Sequence, residues 1–192
     1  FSPDWVWLKT RNTAATHPLF DQVRGANVYL DLQTDSETTN QTDLLTSFNS
    51  DGFTLGANTG SKPVNKNGNS YVAWCWNAAD STVTNNNGTI SSQVRANPSA
   101  GFSIVSYTGN GGSNQTIGHG LGVAPQAVVY KNRDSSSANW EAQWNVSVNK
   151  SVAFRGSLNL SEGNQGNSLT TFTSTTFSVA NSASCRNANN ND

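Results

Sequence analysis

The sequence predicts an all-β protein of two tandem jelly-roll β-sandwich units, on two observations. The first is an ordered internal repeat. FSPDWVWLKTR at 1–11 returns as VAPQAVVYKNR at 123–133, with Pro, Val, Lys and Arg kept in place. LLTSFNSDGFTL at 44–55 returns as SLTTFTSTTFSV at 168–179, where Phe48 and Phe53 are answered by Phe172 and Phe177. Blocks kept in order at nearly one offset mark a duplicated supersecondary unit. The second is periodicity: short runs rich in β-branched and aromatic residues alternate between tight-turn dipeptides, and no helical period competes with them.

Each strand follows from local pattern. In WVWL, Trp5 and Trp7 fall on one face and Val6 and Leu8 on the other, so both faces are apolar, as in a central strand or one at an interface. The run 71–76 (YVAWCW) has the same two-sided character. Further strands are expected at 28–32, 52–55, 90–95, 102–108, 126–131, 140–144, 151–155 and 170–179. Asp51-Gly52, Asn67-Gly68, Asn87-Gly88 and Asn110-Gly111 supply turns between them. The segment 96–100, with Asn97-Pro98, divides the chain into unit one at 1–97 and unit two at 98–192.

The repeat also predicts incomplete units. Unit two opens with GFSIVSYTGNGG ahead of its proline segment, whereas unit one starts almost at the equivalent Pro3. Unit one ends on YVAWCW, for which unit two has no counterpart. Open strand edges must be covered, so an oligomer or a longer fibre is expected, or a chain that is a segment of something larger. The absence of Met at every position, the first included, fits a processed product or a segment.

Composition excludes several partners. Only 12% of the residues are charged and the net charge is −1, so there is no electrostatic footprint for nucleic acid or an anionic membrane. No apolar run approaches the roughly 20 residues of a membrane helix, and no membrane insertion is expected. The chain holds 27 Asn, 25 Ser and 20 Thr, which give a polar, neutral surface suited to an extracellular or virion-borne protein. Six Trp, eight Phe and four Tyr supply the core.

Chemistry is sparse. A glycoside hydrolase needs paired carboxylates on one strand face, and no strand carries that spacing. Asp31, Asp35, Glu37 and Asp43 form the densest acidic group, read as a solvated polar loop, since their order matches no calcium-loop motif. His17 and His119 lie in turn-like contexts without a placed nucleophile. No catalytic residue, cofactor or metal site is therefore assigned.

The remaining residues read as structural. Asp21 and Arg24 can bridge locally and hold a corner. Trp5, Trp7, Trp74, Trp76, Trp140 and Trp144 could stack on sugar rings, but packing and subunit contact are favoured. Cys75 and Cys185 read as two unrelated thiols, with a disulfide tying back the tail as the alternative. Sequons begin at Asn40, Asn87, Asn114, Asn145, Asn149 and Asn159, about the number that composition alone produces, so glycosylation has no support from their count.

The blocks FSPDWVWLK, HPLFDQVRG, LLTSFNSDGFTLG, NSYVAWCWNA, AGFSIVSYTGNG and TIGHGLGVAPQAVVYKNR resemble, in that order, the concanavalin A-like (laminin-G-like) repeats of structural and tail-fibre proteins of marine bacteriophages. The resemblance covers about residues 1–180; the Asn-rich stretch 181–192 stands where such a repeat would have a closing aromatic strand. It implies β-sandwich repeats and a non-enzymatic virion protein: a fibre, spike or decoration subunit that contacts copies of itself or other virion proteins. A lectin-like module that binds a host surface glycan is the alternative.

Overall fold

The computed structural model describes residues 1–31, 37–57, 62, 64–135, 140–144, 155–157 and 169–179. The described part is all-β, with fifteen strands and no helix. Strands β1 (Trp5–Thr10), β2 (Pro18–Asp21), β3 (Gly25–Asp31) and β6 (Tyr71–Trp76) form one antiparallel sheet in the order β3-β2-β1-β6. Strands β4 (Leu45–Asn49) and β5 (Gly52–Leu55) form a hairpin. Strands β7 (Val83–Asn85), β8 (Ser92–Asn97) and β9 (Phe102–Tyr107) make a meander. In the second half, β11 (Ala127–Tyr130), β12 (Glu141–Trp144) and β13 (Arg155–Ser157) form another meander, and β10 (Gln115–Gly118), β15 (Thr176–Val179) and β14 (Leu169–Phe172) a sheet in that order.

The sequence repeat reappears as a repeat of pairing. The meander β1-β2-β3 corresponds to β11-β12-β13, and the hairpin β4–β5 to β14–β15. Phe48 faces Phe53 across one hairpin and Phe172 faces Phe177 across the other; Leu45 faces Leu55 as Leu169 faces Val179. Each hairpin carries a register shift between these two pairs. Similar side chains at similar positions thus direct the same local pairing twice, because register follows the hydrophobic pattern.

Packing repeats as well. Val6, Leu8, Phe20, Tyr29, Leu44, Leu45 and Val64 form one core, against which Phe48, Phe53 and Leu55 pack. Ile90, Ile117, Phe177 and Val179 form a second, with Val128 and Phe172 against it. Val6 and Val128, Phe48 and Phe172, and Phe53 and Phe177 are repeat equivalents, so the two cores share these positions, while Ile90 and Ile117 belong to the second alone. A third cluster, Leu19, Leu30 and Trp140 with Trp5 beside it, joins the first meander to the start of β12. Along β1, Val6, Leu8 and Thr10 are buried while Trp5, Trp7 and Lys9 are half-buried, the strict alternation that the sequence predicts.

Differences from the expected strands have local causes. The segment 170–179 was expected as one strand, but it folds back at Thr173, whose hydroxyl accepts the Thr175 and Thr176 amides at 3.3 and 2.9 Å and so closes a turn. Within 96–100, residues 98–100 with Gly101 form the tight turn of the β8–β9 hairpin: the Asn97 side chain accepts the Ala100 amide at 3.0 Å, and Gly101 takes a positive φ of 66°. A six-pair ladder from Ser92↔Tyr107 to Asn97↔Phe102 therefore runs across this position. Of the expected strand 151–155, residues 151–154 lie outside the described residues.

Candidate functional site

The pairing of β1 with β6 sets Trp5 opposite Trp76 and Trp7 opposite Trp74, so four indoles tile one face of the sheet. Trp5 and Trp76 meet edge to face at 4.5 Å between ring centroids, and Trp7 and Trp74 lie tilted at 4.8 Å. Phe102, from β9, stacks on Trp76 at 6.0 Å and meets Trp5 at 6.1 Å. Each such pair adds about 0.5–1.5 kcal/mol beyond area burial. Trp5 and Trp7 are half-buried, whereas Trp74, Trp76 and Trp144 are 40%, 37% and 38% exposed. Of the six tryptophans Trp140 is buried, with its indole N–H donated to the Asp31 carbonyl at 2.5 Å.

Between this tile and strands β9 and β11 lies a crevice of about 1040 Å3. Trp5, Trp7, Trp76 and Phe102 line it, together with Arg24 and Arg133. The Trp7 indole nitrogen is buried without a hydrogen-bond partner. A smaller recess of about 410 Å3 lies among Thr13–Thr16, Lys62, Lys66 and Asn69.

The charged groups at the crevice neutralise one another. Arg24 Nε donates to Asp21 at 2.6 Å, and both side chains are almost wholly buried. The other Asp21 oxygen accepts the amides of Val23 and Arg24 at 3.0 and 2.9 Å. This is the corner expected from FDQVRG, but buried rather than exposed. Arg24 Nη1 reaches Glu37 at 3.5 Å, and Arg133 holds the same carboxylate through two bonds of 2.7 Å. Arg133 also donates to the Ser106 hydroxyl at 2.9 Å. The Glu37 hydrogen bonds push the Arg133 pKa upward, against a smaller opposing effect of burial.

The acidic group read as a solvated loop is dispersed instead. Asp31 ends β3 fully buried, paired with Lys62 at 3.0 Å and accepting the His17 amide at 3.4 Å. Its place at a strand end inside the sheet explains the correction, since a buried carboxylate is kept only where it is paired. Glu37 belongs to the arginine network, the Asp43 backbone lies against Gly56, and Asp35 is outside the described residues. Among the described residues no three His, Cys, Asp or Glu side chains group to hold a metal.

Sequence reasoning missed a further ion pair. Asp4, 1% exposed, meets Arg95 at 2.6 Å and accepts the Ala78 and Ala79 amides at 2.6 and 2.9 Å. Arg95 also donates to the Ala79 carbonyl. This pair ties the start of β1 to β8 and to the loop after β6. No local motif announces it, because its partners lie far away in sequence.

His119 is buried beside β10; its Nδ1 accepts the Leu121 amide at 3.2 Å and its Nε2 donates to the Thr173 carbonyl at 3.2 Å. That arrangement requires the neutral ring, and burial lowers its pKa. Burial also lowers the pKa of His17, helped by Lys9 and opposed by Asp31. Cys75 is a half-buried free thiol on β6, its pKa raised by burial, and Cys185 lies outside the described residues. Asn40 and Asn114 take left-handed backbone conformations, whereas Asn145, Asn149 and Asn159 are outside the described residues.

Chemically, the crevice offers an aromatic wall and a set of paired charges. Asp4, Asp21, Asp31 and Glu37 each face a cation within 2.6–3.0 Å, so these carboxylates are engaged in ion pairs. No curated protein and no solved structure matches the chain. The family described as a domain of unknown function, DUF7483, matches residues 1–192, and the chain belongs to that family.

Proposed function

We propose that the chain is a non-enzymatic virion structural protein, a bacteriophage fibre, spike or decoration subunit that assembles through tandem concanavalin-like β-sandwich repeats. The observation that carries this reading is the doubled pairing pattern, meander plus hairpin, with matched registers and matched core positions. Duplicated units supply length and repeated contact surfaces, which a structural protein needs and a single catalytic cleft does not. The neutral surface, with a net charge of −1, suits a particle exposed to the medium and argues against nucleic acid as partner. Its partners are then copies of itself or other virion proteins, and its place the virion or the extracellular space. Light scattering at micromolar concentration tests the assembly. A mass of several chains is expected, and a stable monomer with both halves resistant to protease overturns it.

A second reading, a glycan-binding module of a fibre, draws support from the crevice. Sugar C–H faces stack on indole rings, and Trp5, Trp7 and Trp76 present theirs along the crevice. Charges paired within the site favour a neutral saccharide over a charged one. A glycan array tests it: neutral oligosaccharides that bind the native chain and not its Trp7→Ala variant support it, and an array without binders removes it.

A further inference from the structure

The two equivalent hairpins differ in what lies along their outer strand. In the second, β10 runs antiparallel beside β15, with Ile117 opposite Phe177, Thr116 opposite Ser178 and Gly118 opposite Thr176. All four residues of β15 are buried. In the first, β5 pairs with β4 alone among the described residues, and Gly52, Phe53 and Leu55 are half-buried while Thr54 is exposed. Both hairpins share the Phe–Phe pair and the register shift, so the first presents the surface that β10 covers in the second.

We infer that the outer edge of β5 is a docking site for an uncharged β10-type strand that sets one branched apolar side chain opposite Phe53. Several observations define that partner. The segment that serves the equivalent edge is Gln-Thr-Ile-Gly, which is uncharged, as is Gly-Phe-Thr-Leu in β5, so no charge is buried when they join. Ile117 is fully buried against its Phe, which places one branched apolar side chain opposite Phe53. The flanks are glycine-rich, with Gly120 and Gly122 at φ 74°, so the strand leaves the sheet at once toward the proline segment that follows it. Pairing of main-chain groups supplies affinity, and the side chain in its slot supplies selectivity.

The inference deepens the reading of the chain as an assembling repeat protein and rests on it, but its test reads β5 alone. Residues 113–122 are grafted ahead of Phe1 on the full chain, which reproduces the spacing between Gly118 and Ala127 as a spacing between the grafted glycine and Trp5. Amide hydrogen exchange is read at Gly52–Leu55. Slowing of at least tenfold at one or more of these amides is expected, and a control graft carrying Ile117→Asp should leave exchange as in the native chain. Unchanged exchange at β5 with the intact graft, or equal slowing with both grafts, overturns the inference. Light scattering on the ungrafted chain judges assembly separately, so the two failures are distinguishable.

Discussion

Arg133 and Glu37, 96 positions apart, meet in a two-pronged ion pair, reinforced by the Glu37 amide donating to the Arg133 carbonyl at 2.7 Å. The guanidinium fork matches the carboxylate, and the loss of either partner leaves the other poorly satisfied. Arg133→Ala is expected to destabilise the fold by about 1–2 kcal/mol, limited by the 40% exposure of the Arg133 side chain. Arg133→Lys should recover only part of this. A double-mutant cycle with Glu37→Gln in urea unfolding should show a coupling of about 1 kcal/mol.

Acid should weaken the fold through His119. Its folded pKa lies below the ordinary 6.5, so its contribution is fully present above pH 6.5 and is lost as pH falls through the folded value. The protonated ring cannot accept the Leu121 amide. The urea midpoint should fall between pH 7.5 and 5, and fall less in His119→Gln. Equal pH dependence in the two proteins would contradict this.

Core substitutions should rank by burial and room. Phe20 is fully buried, and Phe20→Ala should cost about 3–5 kcal/mol in denaturant unfolding. At Gly88 an added Cβ would collide with the Thr116 carbonyl, a backbone group that cannot swing aside. Gly88→Ala should therefore cost about 1–3 kcal/mol, although Ala normally favours ordered structure over Gly.

No polysaccharide hydrolysis is expected. Asp21 and Glu37 are each held by an arginine, and among the described residues no pair of carboxylates stands side by side on a strand face. Reducing-sugar release from a polysaccharide panel should stay at the blank. Release that a single Asp or Glu substitution abolishes would refute the non-enzymatic reading.

How much of this was legible depended on which residues mark a strand. Gly52–Leu55 and Tyr71–Trp76 have the predicted bounds, because aromatic and β-branched residues alternate there between clear turn signals. Pro18–Asp21 and Gln115–Gly118 escaped, since Pro18, Asp21 and Gly118 at their ends are themselves turn-forming residues. The turn at Thr173 was hidden by its own threonines, which favour strands by propensity and close a turn through their hydroxyls. Asn97-Pro98, read as the boundary between units, stands at the turn between β8 and β9, since the same residues serve a hairpin turn and a linker. For the site, the repeat exposed the Trp5–Trp7 strand, whereas Asp4–Arg95 and Glu37–Arg133 depend on long-range folding that no local window reveals.

The placement of β1 between β2 and β6 also sets a timetable for biosynthesis. Thr10 pairs with Tyr71 and Trp5 with Trp76, so the central strand of its sheet cannot be closed on one side until much later chain has been made. At about 5–20 residues per second of translation, β6 follows β1 by several seconds. Throughout that interval the edge bearing Trp5 and Trp7 stands open to any other nascent strand. Folding dominated by such distant pairings runs in milliseconds to seconds rather than microseconds. A ribosome carrying this chain therefore displays an adhesive tryptophan edge before the strand that covers it exists, and crowding of neighbouring nascent chains becomes a determinant of yield.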